Sequence, residues 1–267
     1  MTSVVTAEDL SYSYPTGERV LEGIDFSAAR GERIAILGPN GSGKSTLLQL
    51  LGGLLEPDGG TVRYFDGKTD AETLRDRFSV VLQEPEDYLF NASIREDLRY
   101  GPSQMGLSES SIEDTVSSLA EALDLEALLE RPPFRLSGGE KRRAALAAGL
   151  STDPELIFLD EPFSDIDANY RRQAMDLLAE QNETGMTQVI ATSNTDIVPK
   201  IADRVCLLDG DGGFVSLGPP REALSAVDVL RAAGLSPPCV VELFADAELS
   251  DPPVTIEEAR TWVDKNR

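Results

Sequence analysis

The stretch Gly38-Pro39-Asn40-Gly41-Ser42-Gly43-Lys44-Ser45-Thr46 decides the fold. It fits the phosphate-loop pattern G-x-x-x-x-G-K-[ST] at every fixed position. The apolar run Arg33-Ile34-Ala35-Ile36-Leu37 precedes it, and an apolar helical segment from Thr46 to about Leu51 follows it. A strand, a glycine-rich turn and a helix in that order make an anion site. Residues without Cβ let the backbone curl so that successive N–H groups point inward, and the helix N-terminus adds partial positive charge. Gly38, Asn40, Gly41, Ser42, Gly43 and Thr46 are candidates for the cradle itself. Lys44 would reach the β- and γ-phosphates, and the Ser45 hydroxyl would hold Mg²⁺.

Outward from this loop the chain alternates strands and helices, which implies a parallel sheet with helices on its faces. Residues 4–31 read as strands, with Pro15-Thr16-Gly17-Glu18 as the hairpin turn. A further β-rich stretch spans Thr61 to Phe65, closed by an Asp66-Gly67 turn, and Phe78 to Gln83 reads as a buried strand. From about residue 88 to 150 the pattern is helical. Ser110-x-x-Glu113 reads as a capping box, and Ile112, Val116, Leu119, Ala120 and Leu123 form an apolar stripe at helical spacing. Apolar strands recur at Leu156–Asp160, Gln188–Thr192 and Val205–Leu208, with a helix near Arg171–Glu180. Residues 219–267, punctuated by Pro219-Pro220 and Pro237-Pro238, read as a small helical appendage with caps at Gly234 and at Thr255-x-x-Glu258.

Composition narrows the chemistry. The 267 residues carry 47 acidic and 24 basic side chains, a formal charge of −23, and 41% of them are hydrophobic. Such a balance repels nucleic-acid backbones and argues against a DNA or RNA partner. Asp and Glu are spread along the whole chain and Lys is scarce, as suits molar salt, where screening acts within about 3 Å. There is no histidine, so His metal ligands, His general bases and Ser-His or Cys-His pairs are all excluded. Two cysteines, Cys206 and Cys239, make no disulfide framework. No apolar stretch is long enough to span a bilayer, and the N-terminus lacks the pattern of a signal peptide, which points to the cytoplasm.

Leu156-Ile157-Phe158-Leu159-Asp160-Glu161-Pro162 is an apolar strand ending in two carboxylates. Ligands in parallel sheets sit beyond the carboxyl ends of strands. Asp160 would therefore support Mg²⁺ near Ser45, and Glu161 would polarise an attacking water. Leu136-Ser137-Gly138-Gly139-Glu140 places two glycine amides at another helix N-terminus, a second anion site that one phosphate loop does not need.

With these motifs in order, residues 3 to 218 resemble an ATP-binding cassette (ABC) ATPase. The resemblance implies a phosphate-loop NTPase core with a parallel sheet, an antiparallel β-subdomain, a helical subdomain at about 88–150, and a small C-terminal helical extension at 219–267. It implies ATP and Mg²⁺ as cofactors and a head-to-tail pair of ATPases, in which Ser137, Gly138, Gly139 and Glu140 meet the ATP held by the other subunit. It implies that Tyr14, thirty residues before Lys44, stacks on adenine. Gln83 matches the Q-loop residue that touches Mg²⁺ and water and senses a membrane partner, and Ser164-Asp165-Ile166-Asp167 matches the D-loop, with Ser164 and Asp167 at its fixed positions.

The run Val81-Leu82-Gln83-Glu84-Pro85-Glu86-Asp87-Tyr88-Leu89-Phe90, with Tyr100-Gly101-Pro102 and the tail from Ala232 to Phe244, resembles energy-coupling factor (ECF) and cobalt or nickel importer ATPases. Their C-terminal extension helps hold the ATPase pair together. The expectation is a peripheral subunit on the cytoplasmic face of the membrane that energises uptake of a micronutrient, a vitamin or transition-metal ion, through integral membrane subunits. A cassette from another importer or an exporter shares the core motifs. One position departs from the family: Ser193 in Thr192-Ser193-Asn194 stands where the H-loop histidine belongs. That departure favours an ATPase heterodimer over the homodimer that is also possible, with this chain's signature completing a partner's competent site. The alternative is a nucleotide-binding subunit whose own site is slow or inactive and which only completes the partner's.

Overall fold

The computed structural model describes residues 3–65, 67, 71, 74–210, 213–247, 249 and 251–267. The Asp66-Gly67 turn thus reaches outside the described residues. The chain opens with a hairpin, β1 (Ser3–Ser13) and β2 (Arg19–Ala29), turned at Tyr14–Glu18 by a bond from the Tyr14 N–H to the Glu18 carbonyl at 2.9 Å. Next come β3 (Arg33–Leu37), α1 (Lys44–Leu51), β4 (Gly59–Tyr64) and β5 (Phe78–Val81). Three helices follow, α2 (Ile94–Gln104), α3 (Glu109–Ala122) and α4 (Gly138–Leu150). The chain returns through β6 (Leu156–Asp160), α5 (Ala168–Glu183), β7 (Thr187–Thr192), α6 (Val198–Ile201), β8 (Arg204–Leu208) and β9 (Phe214–Gly218). Four short helices end it: α7 (Pro220–Ser225), α8 (Val227–Ala232), α9 (Cys239–Leu243) and α10 (Ile256–Lys265).

Two sheets result. One is antiparallel, in the order β2-β1-β4; the other runs β5-β6-β7-β3-β8-β9. The first five strands of the second sheet are parallel, and β9 joins antiparallel. Strands β3, β6 and β7 are almost wholly buried, as strands covered on both faces are. β3 and β6 are mainly apolar, and β7 has an apolar centre, Val189-Ile190-Ala191, between polar ends. One apolar cluster packs α1 and the antiparallel sheet against one face of the parallel sheet; the other packs α2–α5 and α7–α8 against the opposite face. Strand β7 lies between β6 and β3, with Asp160 level with Ala191 and Leu37 level with Thr192. That order brings the ends of the three strands together, so the phosphate loop, the Asp160–Glu161 pair and Ser193 all emerge on one edge.

The helical stretch is α2–α4. Ile112, Val116, Leu119, Ala120 and Leu123 are all buried, as their spacing requires. The capping box expected at Ser110 is not there. Ser108 is the N-cap of α3 and accepts from the Ser111 N–H, because its extended backbone aims the hydroxyl at the first turn. Glu113 instead pairs with Arg95 at 2.8 Å and with Arg99, joining α2 to α3. In the last segment, Leu224, Leu230, Ala233 and Leu235 are buried in the main apolar cluster, while α10 has no buried residue.

Candidate nucleotide-binding site

The phosphate loop runs from the end of β3 into α1. Gly43 is the N-cap of α1 at φ +86°, with no side chain capping the helix. The first amides of a helix have no intrahelical partner, so those of Lys44, Ser45 and Thr46 would be available to an anion. Gly43 must be glycine on two counts: its φ is left-handed, and a Cβ would sit 3.0 Å from Leu21 and Val20. At Gly38 a Cβ would come within 2.4 Å of Ser42 Oγ. Ser42 itself is fully buried, and its hydroxyl has no partner among the described residues.

A cavity of about 560 Å³ opens over the loop. Tyr14, Asn40, Gly41, Gly43, Lys44, Ser45, Thr46, Gln83, Asp160, Glu161, Ser164 and Ser193 all line it. The Lys44 ammonium donates to the Pro39 carbonyl at 2.9 Å. Burial holds its pKa below the usual lysine range, partly offset by Glu161 and Asp160. A polyphosphate would reverse that penalty by supplying the missing countercharge. The Tyr14 ring packs edge-on against Tyr12 at 5.2 Å. Its hydroxyl lies 3.1 Å from Thr46 Oγ1, which ties the aromatic from the hairpin to α1 and leaves its ring at the mouth.

Asp160 is buried, and burial pushes its pKa up, opposed by a hydrogen bond with Ser45. Its Oδ1 has no partner among the described residues. A buried carboxylate oxygen left without a donor, beside a hydroxyl, is an oxygen set that suits a small hard dication. Ser45 and Asp160 would hold Mg²⁺, with Gln83 on the same wall, and the metal would neutralise charge between the phosphates.

Glu161 takes a left-handed backbone at φ +46°, a strained conformation for this residue type. Its N–H donates to the Ala191 carbonyl at 2.9 Å, and its carboxylate accepts three bonds from the end of β7. Thr192 Oγ1 donates to Oε2 at 3.1 Å; the Ser193 N–H and hydroxyl donate to Oε1 at 2.8 and 3.0 Å. The residue standing at the H-loop position is thus bonded to the carboxylate expected to activate water. Thr192 and its contact with Glu161 were not foreseen, since nothing in its local pattern distinguishes it from any strand end.

The D-loop residues divide. The Ser164 hydroxyl donates to the Glu161 carbonyl at 2.8 Å. Asp167 caps α5, accepting from the Asn169 and Tyr170 amides at 2.8 and 3.1 Å, and does not line the cavity. Ser137, Gly138, Gly139 and Glu140 do not line it either. They begin α4 with a full capping box: the Ser137 amide donates to Glu140 at 2.7 Å, and the Glu140 amide donates back to the Ser137 hydroxyl at 3.4 Å. The Gly138 and Gly139 amides, first in the helix, have no intrahelical partner. Gly139 sits so close to the D-loop that a Cβ would meet the Asp165 carbonyl at 3.1 Å.

Arg142 was also missed. This buried side chain of α4 donates to the Gln83 carbonyl and reaches Asp165 at 3.4 Å. The signature helix, the Q-loop and the D-loop therefore share one guanidinium. An arginine beside the run Ala144-Ala145-Leu146-Ala147 was the available signal, because a charge at the start of a buried helix needs partners.

The ABC transporter family model matches residues 21–164. The energy-coupling factor transporter ATP-binding protein EcfA of Methanococcus maripaludis is 40% identical over 91% of this chain and 88% of its own length. The EcfA of Methanocaldococcus jannaschii is 38% identical over 90% and 88%. Among solved structures, cbiO1 of Clostridium perfringens, described as part of the ABC transporter complex cbiONQ, superposes with a TM-score of 0.74. It is 35% identical and covers 92% of this chain and 100% of its own. A dimeric ATP-binding cassette in a post-hydrolysis state, bound to ADP and Pi, gives a TM-score of 0.74 at 26% identity, over 81% of this chain and 99% of its own.

Proposed function

The chain belongs to the ABC transporter ATPases, of the energy-coupling factor type, and from that premise we propose that it is one half of an ATPase heterodimer driving uptake of a micronutrient, a vitamin or transition-metal ion. ATP with Mg²⁺ occupies the cavity over the phosphate loop. Glu161 polarises the attacking water, Lys44 and the loop amides hold the phosphates, and Gln83 links the site to the membrane subunits. Closure of the pair on ATP and reopening after hydrolysis would move the transporter.

The observation that carries the heterodimer is Ser193. Its hydroxyl is neutral and its proton is directed to Glu161, so it offers a γ-phosphate neither positive charge nor a donor. Losing one preorganised transition-state donor costs roughly 10²–10³ in rate. A partner with its own histidine, completed by Ser137–Glu140 of this chain, would restore a fast site. In a second reading, which Ser193 equally motivates, this chain's own site is a clamp that scarcely turns over.

Two surfaces support the partners. A groove beside the Q-loop is lined by Leu89, Phe90, Pro133 and Phe134, and Phe90 and Phe134 are exposed; an integral membrane subunit would dock there. Leu243, Ile256 and Val263 on the C-terminal extension are exposed apolar side chains, suited to the ATPase–ATPase contact. Among the described residues no helix is long and apolar enough to cross a membrane, as suits a peripheral subunit on the cytoplasmic face. Purification of the tagged full-length chain from its source membranes in molar salt tests the proposal. The expected result is a second, different cassette together with membrane subunits. Recovery of a homodimer whose two sites both turn over fast would overturn it.

A further inference from the structure

The segment between α8 and α9 is docked on the back of the nucleotide site. Gly234, at φ +82°, lies beside the phosphate loop: a Cβ there would make ordinary van der Waals contact with Pro39 Cγ at 3.4 Å. The Thr195 side chain, 6% exposed, donates from its hydroxyl to the Ser236 carbonyl at 2.9 Å. Asp196 accepts from Cys239 twice: from the N–H at 2.7 Å and from the thiol at 3.2 Å. Since α9 has no side-chain cap of its own, Asp196 supplies that service from 43 residues away. Thr195 and Asp196 belong to the turn that begins at Ser193, and the Asn194 side chain accepts from the Asp196 N–H at 3.0 Å.

Behind this turn lies a second cavity of about 570 Å³. Asn40 and Ser193 line both it and the nucleotide cavity. The two cavities thus share two lining residues, one from the phosphate loop and one just after β7.

We propose that Thr195 and Asp196 are positioning residues that latch the C-terminal extension to the wall of the nucleotide site, so that occupancy of the γ-phosphate position and docking of residues 234–243 are energetically coupled. A nucleotide that fixes Asn40 and Ser193 fixes the turn that holds the tail. By linkage, loosening the tail weakens that nucleotide to the same degree. ADP, lacking the γ-phosphate, leaves the Ser193 side of the wall uncontacted and couples less. The inference rests on the nucleotide occupying the cavity described above; it does not require the heterodimer.

Cys239 makes the coupling measurable. It is exposed, whereas Cys206 is buried. The Asp196 carboxylate also holds the Cys239 thiol above its usual range, which slows its reaction with electrophiles. The full-length chain would be labelled with a maleimide in molar salt, alone, with ADP and with a non-hydrolysable ATP analogue and Mg²⁺, while analogue binding is followed calorimetrically. The analogue should slow labelling about fivefold, at the low end of typical coupling, and ADP should slow it less.

Thr195→Val, which leaves the Asp196–Cys239 contact in place, should weaken the analogue by a similar factor and remove most of the protection. Cys239→Ser should abolish labelling, confirming the reporter. Analogue binding with unchanged labelling would overturn the latch alone; absence of binding would remove the nucleotide site and the latch together. The wild-type arm needs no variant to fold.

Discussion

The phosphate loop and the signature turn use the same device, a glycine-loosened turn feeding a helix N-terminus, and end in opposite conditions. At α1 the N-cap is Gly43 with no side-chain cap, and the amides face a walled cavity that also holds Lys44 and Asp160. At α4 a serine and a glutamate cap each other, and the turn lies outside that cavity. A helix start capped only by glycine gives up a few tenths of a kcal/mol relative to one with a side-chain cap, and leaves its amides open for a ligand to complete. A capped start is stable by itself and serves an anion only through the two glycine amides left over. On the function proposed above, the first would hold its ligand from within one chain. The second would survive unliganded and meet an anion brought by another surface.

The largest effect should come from emptying the first region. Lys44→Ala should lower single-turnover hydrolysis in this chain's own site by roughly 10³-fold at subsaturating ATP, since phosphate affinity and a transition-state contact are lost together. The variant should remain folded, as its melting curve would show, even though it loses the bond to the Pro39 carbonyl and the countercharge to Asp160 and Glu161. Retained hydrolysis in purified Lys44→Ala would break the comparison at its stronger end. Ser137→Arg should act the other way round. ATP binding by the isolated chain should be unchanged, while turnover of the assembled complex falls by roughly 10²-fold. If the isolated chain lost ATP affinity as well, the signature would belong to its own site and the contrast would collapse.

Salt bears on both regions. With 47 acidic against 24 basic residues, repulsion in dilute buffer should destabilise the fold, and screening within a few ångströms should relieve it. Thermal melts should rise continuously from low salt into the molar range. Phosphate binding should gain as well, because the acidic surface repels ATP less when screened. A flat melting temperature across that range would remove the reading of the surface as salt-adapted.

Contiguous features were legible in the chain. The strand before Gly38, the loop, the helix after it and the apolar run ending at Asp160–Glu161 are local patterns whose chemistry follows from spacing. What escaped was set by distance or by competition between near-equal neighbours. Arg142 meets Gln83 across 59 residues, and Asp196 meets Cys239 across 43; no periodicity records such pairs. Ser108, Ser110 and Ser111 all stand near the start of α3, and only the backbone angles of Ser108 select it as the cap. The Ser193 substitution was visible as an anomaly, but its bond to Glu161 is made across 32 residues, between the ends of two strands, which sequence does not report. The tail read as an appendage, yet its first half carries leucines buried in the main cluster, because short helices of five or six residues give too few turns to reveal an apolar face.

The smallest effect sharpens the contrast most, because it converts one kind of helix start toward the other. Glu140→Ala removes half of the capping box and frees the Ser137 amide and hydroxyl. The cost should be about 1 kcal/mol, a fall in melting temperature of roughly 2–4 °C for a chain of this size. The Ser137 amide and hydroxyl hold the Glu140 carboxyl below its ordinary range. A carboxylate lowered in the folded state stabilises fully above its unfolded value and loses that contribution as pH falls through the folded value. The stability gap between wild type and Glu140→Ala should therefore be complete at neutral pH and close on acidification, with Glu140→Gln in between and nearly independent of pH. In the assembled complex the same variant releases two donors toward the partner's nucleotide, so its turnover should hold or rise while its stability falls. A parallel loss of both would mean that the capped geometry itself is what the partner's nucleotide reads. The signature would then be shaped for its ligand as fully as the phosphate loop is.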